Sequence, residues 1–89
     1  MRTVLTDNVF SGNGGVGARV YQGSTLTGNR FSDNVDSGFT CATNNGSIAG
    51  TAVGGNTFHN NKAALSNTEF QCANLRDMGG NVCADGTCP

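Results

Sequence analysis

The phrase Asn8-Val-Phe10-Ser-Gly-Asn13 occurs twice more in this chain, as Asn29-Arg-Phe31-Ser-Asp-Asn34 and as Asn56-Thr-Phe58-His-Asn-Asn61. The three copies of Asn-x-Phe-x-x-Asn begin 21 and then 27 residues apart, and a degraded fourth copy, Asn81-Val-Cys83, begins 25 residues after the third. A repeat period in the twenties is typical of solenoids, in which each copy forms one turn of a coil. The sequence therefore predicts a coiled chain with one copy in each turn.

Short strands are predicted on both sides of each copy. Apolar residues alternate with polar ones after the first two copies, where Ala18 and Val20, then Phe39 and Cys41, share one face. This two-residue period is that of a half-buried strand. We predict such strands at residues 17–21, 38–42 and 65–69, and a second set before the next copies at 24–27 and 47–50. With the phrase itself as a third strand, each turn has three strands.

The predicted fold is an all-β, right-handed parallel β-helix of about three to four short coils, forming one domain over residues 1–89. The coils are predicted at 5–26, 27–50 and 51–75, with a partial or capping coil at 76–89. A solenoid needs about three coils and capped ends, so we expect this chain to be a fragment of a longer one. Its open ends expose strand edges, through which self-association is expected.

The residues of the phrase have predicted structural roles. Phe10, Phe31 and Phe58 are expected to stack inward as an aromatic column, with Cys83 at its end. The asparagines are expected at corners, because Asn tolerates the left-handed conformation of a sharp turn and its amide can bond the backbone or the Asn of the next coil. The corner residues predicted in this way are Asn13, Asn34 and Asn61.

The pattern Asn-x-Phe-x-x-Asn-x-x-x-Gly, at 8–17 and 29–38, resembles the right-handed parallel β-helix repeat of pectate-lyase-like proteins. Residue 65 departs from it, because Leu stands where the Gly belongs. Phe-x-x-Asn with a nearby Gly-Gly, as at 10–15, is also similar to repeats of polymorphic outer-membrane and adhesin passenger domains. The resemblance covers about residues 5–83 and implies an extracellular or cell-surface solenoid. It implies no particular reaction.

Charge and composition exclude several classes of partner. Five Lys and Arg against six Asp and Glu give a formal charge of -1, which provides no basic surface for nucleic acid or an acidic membrane. No apolar run approaches the roughly 20 residues of a membrane span. The first seven residues reach an acidic side chain before any apolar segment develops, so no signal peptide is predicted within this chain.

Four cysteines in 89 residues favour an oxidising compartment. Cys41, Cys72, Cys83 and Cys88 contain no Cys-x-x-Cys, so two disulfides are favoured over free buried thiols, and both over a metal site. Three pairings are open. We weakly prefer Cys41 with Cys72 and Cys83 with Cys88.

Catalytic candidates are few. Enzymes of the resembling family use basic and acidic side chains on one outer face, and Asp33 and His59, one coil apart, are weak candidates for such a pair. Asp36 and Lys62 lie nearby in sequence. The run Asp33-Asn-Val-Asp36 lacks the repeated motif of calcium-binding rolls, so neither a metal nor a cofactor is expected.

Two functions from different classes follow. The first is a non-catalytic structural or binding segment of a secreted or cell-surface β-helix that contacts a polysaccharide or a surface protein. The second is a fragment of a polysaccharide lyase, hydrolase or epimerase whose catalytic coils lie elsewhere. The scarcity of charged side chains favours the first.

Overall fold

The computed structural model describes residues 3–21, 23–42, 50–61 and 75–83. Ten strands and no helix lie within them. The strands are β1 (Val4–Thr6), β2 (Val9–Ser11), β3 (Ala18–Tyr21), β4 (Thr25–Thr27), β5 (Arg30–Ser32), β6 (Phe39–Ala42), β7 (Thr51–Gly54), β8 (Thr57–His59), β9 (Leu75–Asp77) and β10 (Val82–Cys83). None of these strands exceeds four residues, as expected of a chain rich in Gly, Asn and Ser, which favour turns over long elements.

Every strand pair is parallel, and strands pair across turns of the chain rather than with their neighbours in sequence. The first sheet has the order β1-β4-β7-β9, the second β2-β5-β8-β10, and the third pairs β3 with β6. The second sheet collects the Phe-containing strand of each copy of the phrase. This arrangement is compatible with a β-helix-like solenoid in which each copy and its flanking strands form one repeat.

The register places equivalent residues of successive repeats side by side. In the second sheet Phe10 pairs with Phe31, Phe31 with Phe58, and Phe58 with Cys83. In the first sheet Leu5 pairs with Leu26 and Leu26 with Val53. These columns point inward, and the buried apolar side chains come from all three sheets: Val20, Leu26, Phe31, Phe39, Cys41, Val53 and Phe58.

The aromatic column is the centre of this core. The Phe31 ring stacks on Phe10 and on Phe58 with centroids 5.1 Å apart in both cases and interplanar angles of 12° and 7°. Phe39, from the third sheet, leans against the column at 5.7 Å from Phe31. Phe31 is 0% exposed, and burial of such a side chain contributes about 1.5–3 kcal/mol, with about 0.5–1.5 kcal/mol more from each aromatic pair.

One glycine is required by close packing between repeats. A Cβ on Gly17 would collide with the backbone carbonyl of Gly38 and lie 2.7 Å from the Asn34 amide nitrogen. The Gly17 N–H meanwhile donates to the Ser37 carbonyl at 3.0 Å. The Gly of the repeat pattern at position 17 therefore lets the third strand of the first repeat approach the second repeat closely.

Of the strand expected at residues 47–50, residues 47–49 lie outside the described residues, and Gly50 belongs to no strand. The strand that precedes the third copy is β7, Thr51–Gly54, which continues the first sheet. The apolar side chain of this strand lies three residues before the first Asn of each copy, at Leu5, Leu26 and Val53. This fixed offset identifies the strand that precedes each copy in the first sheet, because the same position is directed inward in each of these repeats. The strand expected at 65–69 lies outside the described residues.

Candidate functional site

The first Asn of each copy belongs to a hydrogen-bonded ladder that runs across four repeats. The backbone N–H of each Asn donates to the side-chain Oδ1 of the Asn in the next repeat, at 2.9, 2.9 and 3.0 Å, along Asn8, Asn29, Asn56 and Asn81. The side-chain Nδ2 of the later three donates to a backbone carbonyl of the preceding repeat, at Leu5, Leu26 and Val53. Each inner Asn side chain is thus both acceptor and donor toward the repeat before it.

The second Asn of each copy builds a parallel ladder. Asn13 N–H donates to Asn34 Oδ1 at 3.2 Å, and Asn34 N–H donates to Asn61 Oδ1 at 3.1 Å. The Nδ2 groups of Asn34 and Asn61 reach back to the carbonyls of Phe10 and Phe31. Asn34 is 2% exposed, so its amide is satisfied by the backbone rather than offered to a ligand.

The ladder asparagines do not hold the left-handed turns, contrary to the prediction. The positive φ angles lie one residue earlier in each repeat: at Asp7, Gly28 and Gly55 before the first Asn, and at Gly12, Asp33 and Asn60 before the second. The residue before each ladder Asn makes the turn, because the Asn itself must direct its side chain toward the backbone carbonyl of the preceding repeat. Gly, Asp and Asn tolerate this conformation best, which explains the composition of those positions.

The structure brings the two catalytic candidates, Asp33 and His59, close together. Asp33 N–H donates to the His59 carbonyl at 3.0 Å, and His59 pairs with Ser32 on neighbouring strands. Both side chains are exposed. The Asp33 carboxylate, however, accepts a 2.8 Å hydrogen bond from the Asn60 side chain. This bond ties one turn to the next and gives Asp33 a structural role at the position where φ is 57°.

The other candidate residues form no cluster within the described part of the chain. Asp36 is exposed, and the Ser37 hydroxyl donates to its Oδ1 at 3.3 Å. Lys62 lies outside the described residues. Among residues 3–21, 23–42, 50–61 and 75–83, no three His, Cys, Asp or Glu side chains converge as ligands of a metal ion would. In the same segments, no helix is long and apolar enough to span a membrane.

Two of the four cysteines are described. Cys41 is fully buried in the core, and Cys83 is half-buried at the end of the aromatic column. Neither is a free thiol. Cys72 and Cys88 lie outside the described residues, so the pairing of the four cysteines stays a prediction.

The outward faces of the first and second sheets carry mostly small uncharged side chains. The sequence prediction did not identify which residues form these outward faces. In the first sheet, Thr6 lies beside Thr27 with hydroxyl oxygens 3.4 Å apart, and Thr27 pairs with Gly54. In the second sheet, Val9, Arg30, Thr57 and Val82 form one outward column. The register that aligns the inward residues also aligns these outward ones, because side chains alternate along a strand.

Comparison of the chain with models of known protein families, with curated proteins and with solved structures found no match.

Proposed function

We propose that this chain is a non-catalytic segment of a secreted or cell-surface right-handed parallel β-helix, whose outer faces contact a polysaccharide or a surface protein. The handedness follows the strong preference of parallel strand connections for the right-handed crossover. The sequence resemblance to pectate-lyase-like repeats supports the same fold.

The observation that carries the proposal is that the asparagines and phenylalanines of the repeated phrase bond and pack against neighbouring repeats. Asn29, Asn56 and Phe31 are buried. The side-chain amides of the two asparagines bond neighbouring repeats rather than facing solvent. The phrase is the main chemical regularity of the sequence, and its role here is to stack repeats. Any contact with a ligand is left to the outward faces, which hold mostly hydroxyl and aliphatic groups, with Arg76 beside Ala52 on the first sheet and Arg30 on the second.

The outward face of the first sheet is the better binding surface of the two. Its central positions, Thr25, Thr27 and Ala52, are half-buried and aligned with neighbours in register. A row of hydroxyl and methyl groups suits the hydroxyl and C–H faces of sugar rings. Hydroxyl groups can hydrogen-bond sugar hydroxyls, and methyl groups can pack against C–H groups, without the burial of a charge.

Binding to an array of neutral and acidic polysaccharides tests the proposal. Thr27→Lys places a charge at the centre of the first sheet's outer face, and Thr57→Lys is its matched control on the second sheet, also outward and half-buried. We expect Thr27→Lys to abolish binding and Thr57→Lys to leave it unchanged. Equal binding by both variants and the wild type would overturn the assignment of this face.

The alternative, a fragment of a carbohydrate-active enzyme, has one observation in its favour, the proximity of Asp33 and His59 on an exposed turn. Lyase and hydrolase assays on acidic polysaccharides decide it. Asp33→Asn retains a residue that tolerates positive φ, and His59→Ala removes the imidazole. Turnover by the wild type that disappears in both variants would establish the enzyme and contradict the non-catalytic proposal.

The extracellular location is supported by the four cysteines and by the absence of free thiols among the described ones. We propose the pairs Cys41–Cys72 and Cys83–Cys88. Proteolysis without reduction, followed by mass spectrometry, would identify the linked peptides. Any other pairing would overturn this assignment, and alkylation of all four thiols before reduction would contradict the oxidising compartment.

A further inference from the structure

We propose that Asn13-Gly14 is a site of spontaneous deamidation, at which the first repeat acquires an aspartyl or isoaspartyl residue while the inner asparagines of both ladders are protected by the hydrogen bonds that stack the repeats.

The reaction needs only the chain and water. The backbone nitrogen of Gly14 attacks the side-chain carbon Cγ of Asn13, a C–N bond forms, and the bond from Cγ to Nδ2 breaks. The proton of the Gly14 N–H leaves with Nδ2 as ammonia, and a five-membered succinimide ring remains. Water then opens the ring at either carbonyl, its hydroxyl going to carbon and its proton to nitrogen. Attack at one carbonyl gives an aspartyl residue, and attack at the other gives an isoaspartyl residue.

The attacking group at this site is accessible. Asn13 and Gly14 are both exposed, and no atom lies within 4 Å of the position that a Cβ on Gly14 would occupy. The Gly14 N–H donates to none of the described residues. The Asn13 amide is held by one contact, from Nδ2 to Asn34 Oδ1 at 2.8 Å. Glycine also gives the backbone the freedom that ring closure requires.

The inner asparagines lack that accessibility, because the nitrogen that would attack is already bonded. The residue after each inner Asn donates its backbone N–H to the carbonyl of the equivalent Asn in the preceding repeat. These bonds run from Arg30 to Asn8 at 2.8 Å, from Val35 to Asn13 at 3.0 Å, from Thr57 to Asn29 at 2.9 Å and from Val82 to Asn56 at 2.8 Å. Each of these residues also carries a side chain. The ladder that stacks the repeats therefore also protects their amides.

Asn8 is the internal comparison. It is exposed and lies in the first repeat like Asn13, but the β-branched Val9 follows it. The branched side chain hinders approach of the nitrogen and restricts the backbone. Asn8 is therefore expected to remain intact under conditions in which Asn13 is converted.

Conversion of Asn13 changes the end of its ladder. The donor from Nδ2 to Asn34 Oδ1 is lost, and a carboxylate oxygen replaces it beside another oxygen. The formal charge of the chain changes from -1 to a more negative value. The first repeat is expected to loosen locally, because the Val35 N–H donates to the carbonyl of the residue that is altered.

Peptide mapping after incubation of the folded protein at 37 °C in mildly alkaline buffer tests the proposal. Trypsin cuts after Arg2, Arg19, Arg30 and Lys62, which yields separate peptides 3–19 and 31–62. The second Asn-Gly of the chain, Asn45-Gly46, lies in the latter peptide. We expect the 3–19 peptide to gain the mass difference between an amide and an acid, with fragment ions placing the change at Asn13. Conversion at Asn8, or an unchanged 3–19 peptide, would overturn the proposal.

Two comparisons separate the contributions of sequence and fold. Gly14→Ala, at a position with room for a methyl group, should leave the fold intact and slow conversion by about tenfold or more, because it removes the freedom of glycine. A synthetic peptide of residues 3–19 should react at nearly the rate of the folded protein. If the folded protein converts more than about tenfold more slowly than the peptide, the bond to Asn34 protects Asn13 as well, and the proposal is overturned.

Discussion

Replacement of Asn56 by Ala removes a fully buried side chain from the middle of the first ladder. Asn56 is 0% exposed. Its Oδ1 accepts from the Asn29 backbone N–H at 2.9 Å, and its Nδ2 donates to the Leu26 carbonyl at 2.9 Å. Alanine leaves both groups without these partners in the interior, and each unsatisfied buried group costs about 1–3 kcal/mol. The expected loss in the free energy of unfolding is therefore about 2–6 kcal/mol.

The loss expected for Asn56→Ala is a large part of the free energy of unfolding of the whole chain. A chain of 89 residues is expected to have a free energy of unfolding of about 4–13 kcal/mol. Urea denaturation followed by far-ultraviolet circular dichroism measures the change by linear extrapolation, and the spectroscopic choice follows from the absence of Trp.

Asn8→Ala is the matched control for this ladder. Asn8 is exposed and has no preceding described repeat to bond, so its side chain reaches only Thr6 O and Asn29 Oδ1. Its removal should cost about 1 kcal/mol or less. If the two alanine variants differ by less than about 0.5 kcal/mol, the reasoning that buried ladder bonds hold the repeats together is refuted.

Further predictions concern the core and the close approach of the repeats. Phe31→Ala should lower the free energy of unfolding by about 3–5 kcal/mol. Phe10→Ala should lower it clearly less, because Phe10 is half-buried and stacks on one ring rather than two. Equal losses for the two variants would contradict the described stack. Gly17→Ala should destabilise by about 1–3 kcal/mol or more because its methyl meets backbone, while Gly14→Ala should stay within about 0.5 kcal/mol of the wild type in the same titration. Similar midpoints for these two glycine variants would argue against close packing at position 17.

The repeat architecture was predictable because the buried apolar residues occupy the same position in each copy of the phrase. One Phe per copy predicted an aromatic column, and the described rings of Phe10, Phe31 and Phe58 lie in register and stack. All-β structure followed from short alternating runs between Gly and Asn. These features depend on which side chains are apolar and how far apart they stand, which is information that one sequence contains.

Which asparagines make the left-handed turns and which form the ladders was not predictable from the sequence. Asn favours both left-handed turns and side-chain bonds to the backbone, so composition alone does not say which role a given Asn takes. The structure separates the two: Asn60 makes a turn with φ 56°, and Asn56 builds the ladder. The partner of a ladder Asn lies 21 to 27 residues away, beyond any local preference.

The candidate site was only partly predictable for a related reason. Spacing by one repeat suggested that Asp33 and His59 could share a face, and their backbones lie side by side in neighbouring repeats, where the Asp33 N–H donates to the His59 carbonyl. The bond from Asn60 to the Asp33 carboxylate was not foreseen, because it depends on the direction of side chains at the turn. Every pair of residues aligned between parallel repeats lies close together, so proximity identifies neighbours without identifying chemistry.

The central claim is that successive copies of the phrase stack in parallel and in register, one copy in each repeat. Nuclear Overhauser effects between assigned ring protons of the phenylalanines test it directly. We predict contacts from the Phe31 ring to both the Phe10 ring and the Phe58 ring. We predict no contact between the Phe10 and Phe58 rings, because Phe31 lies between them. Contacts between Phe10 and Phe58, or no contact from Phe31 to either ring, would contradict the stacked arrangement.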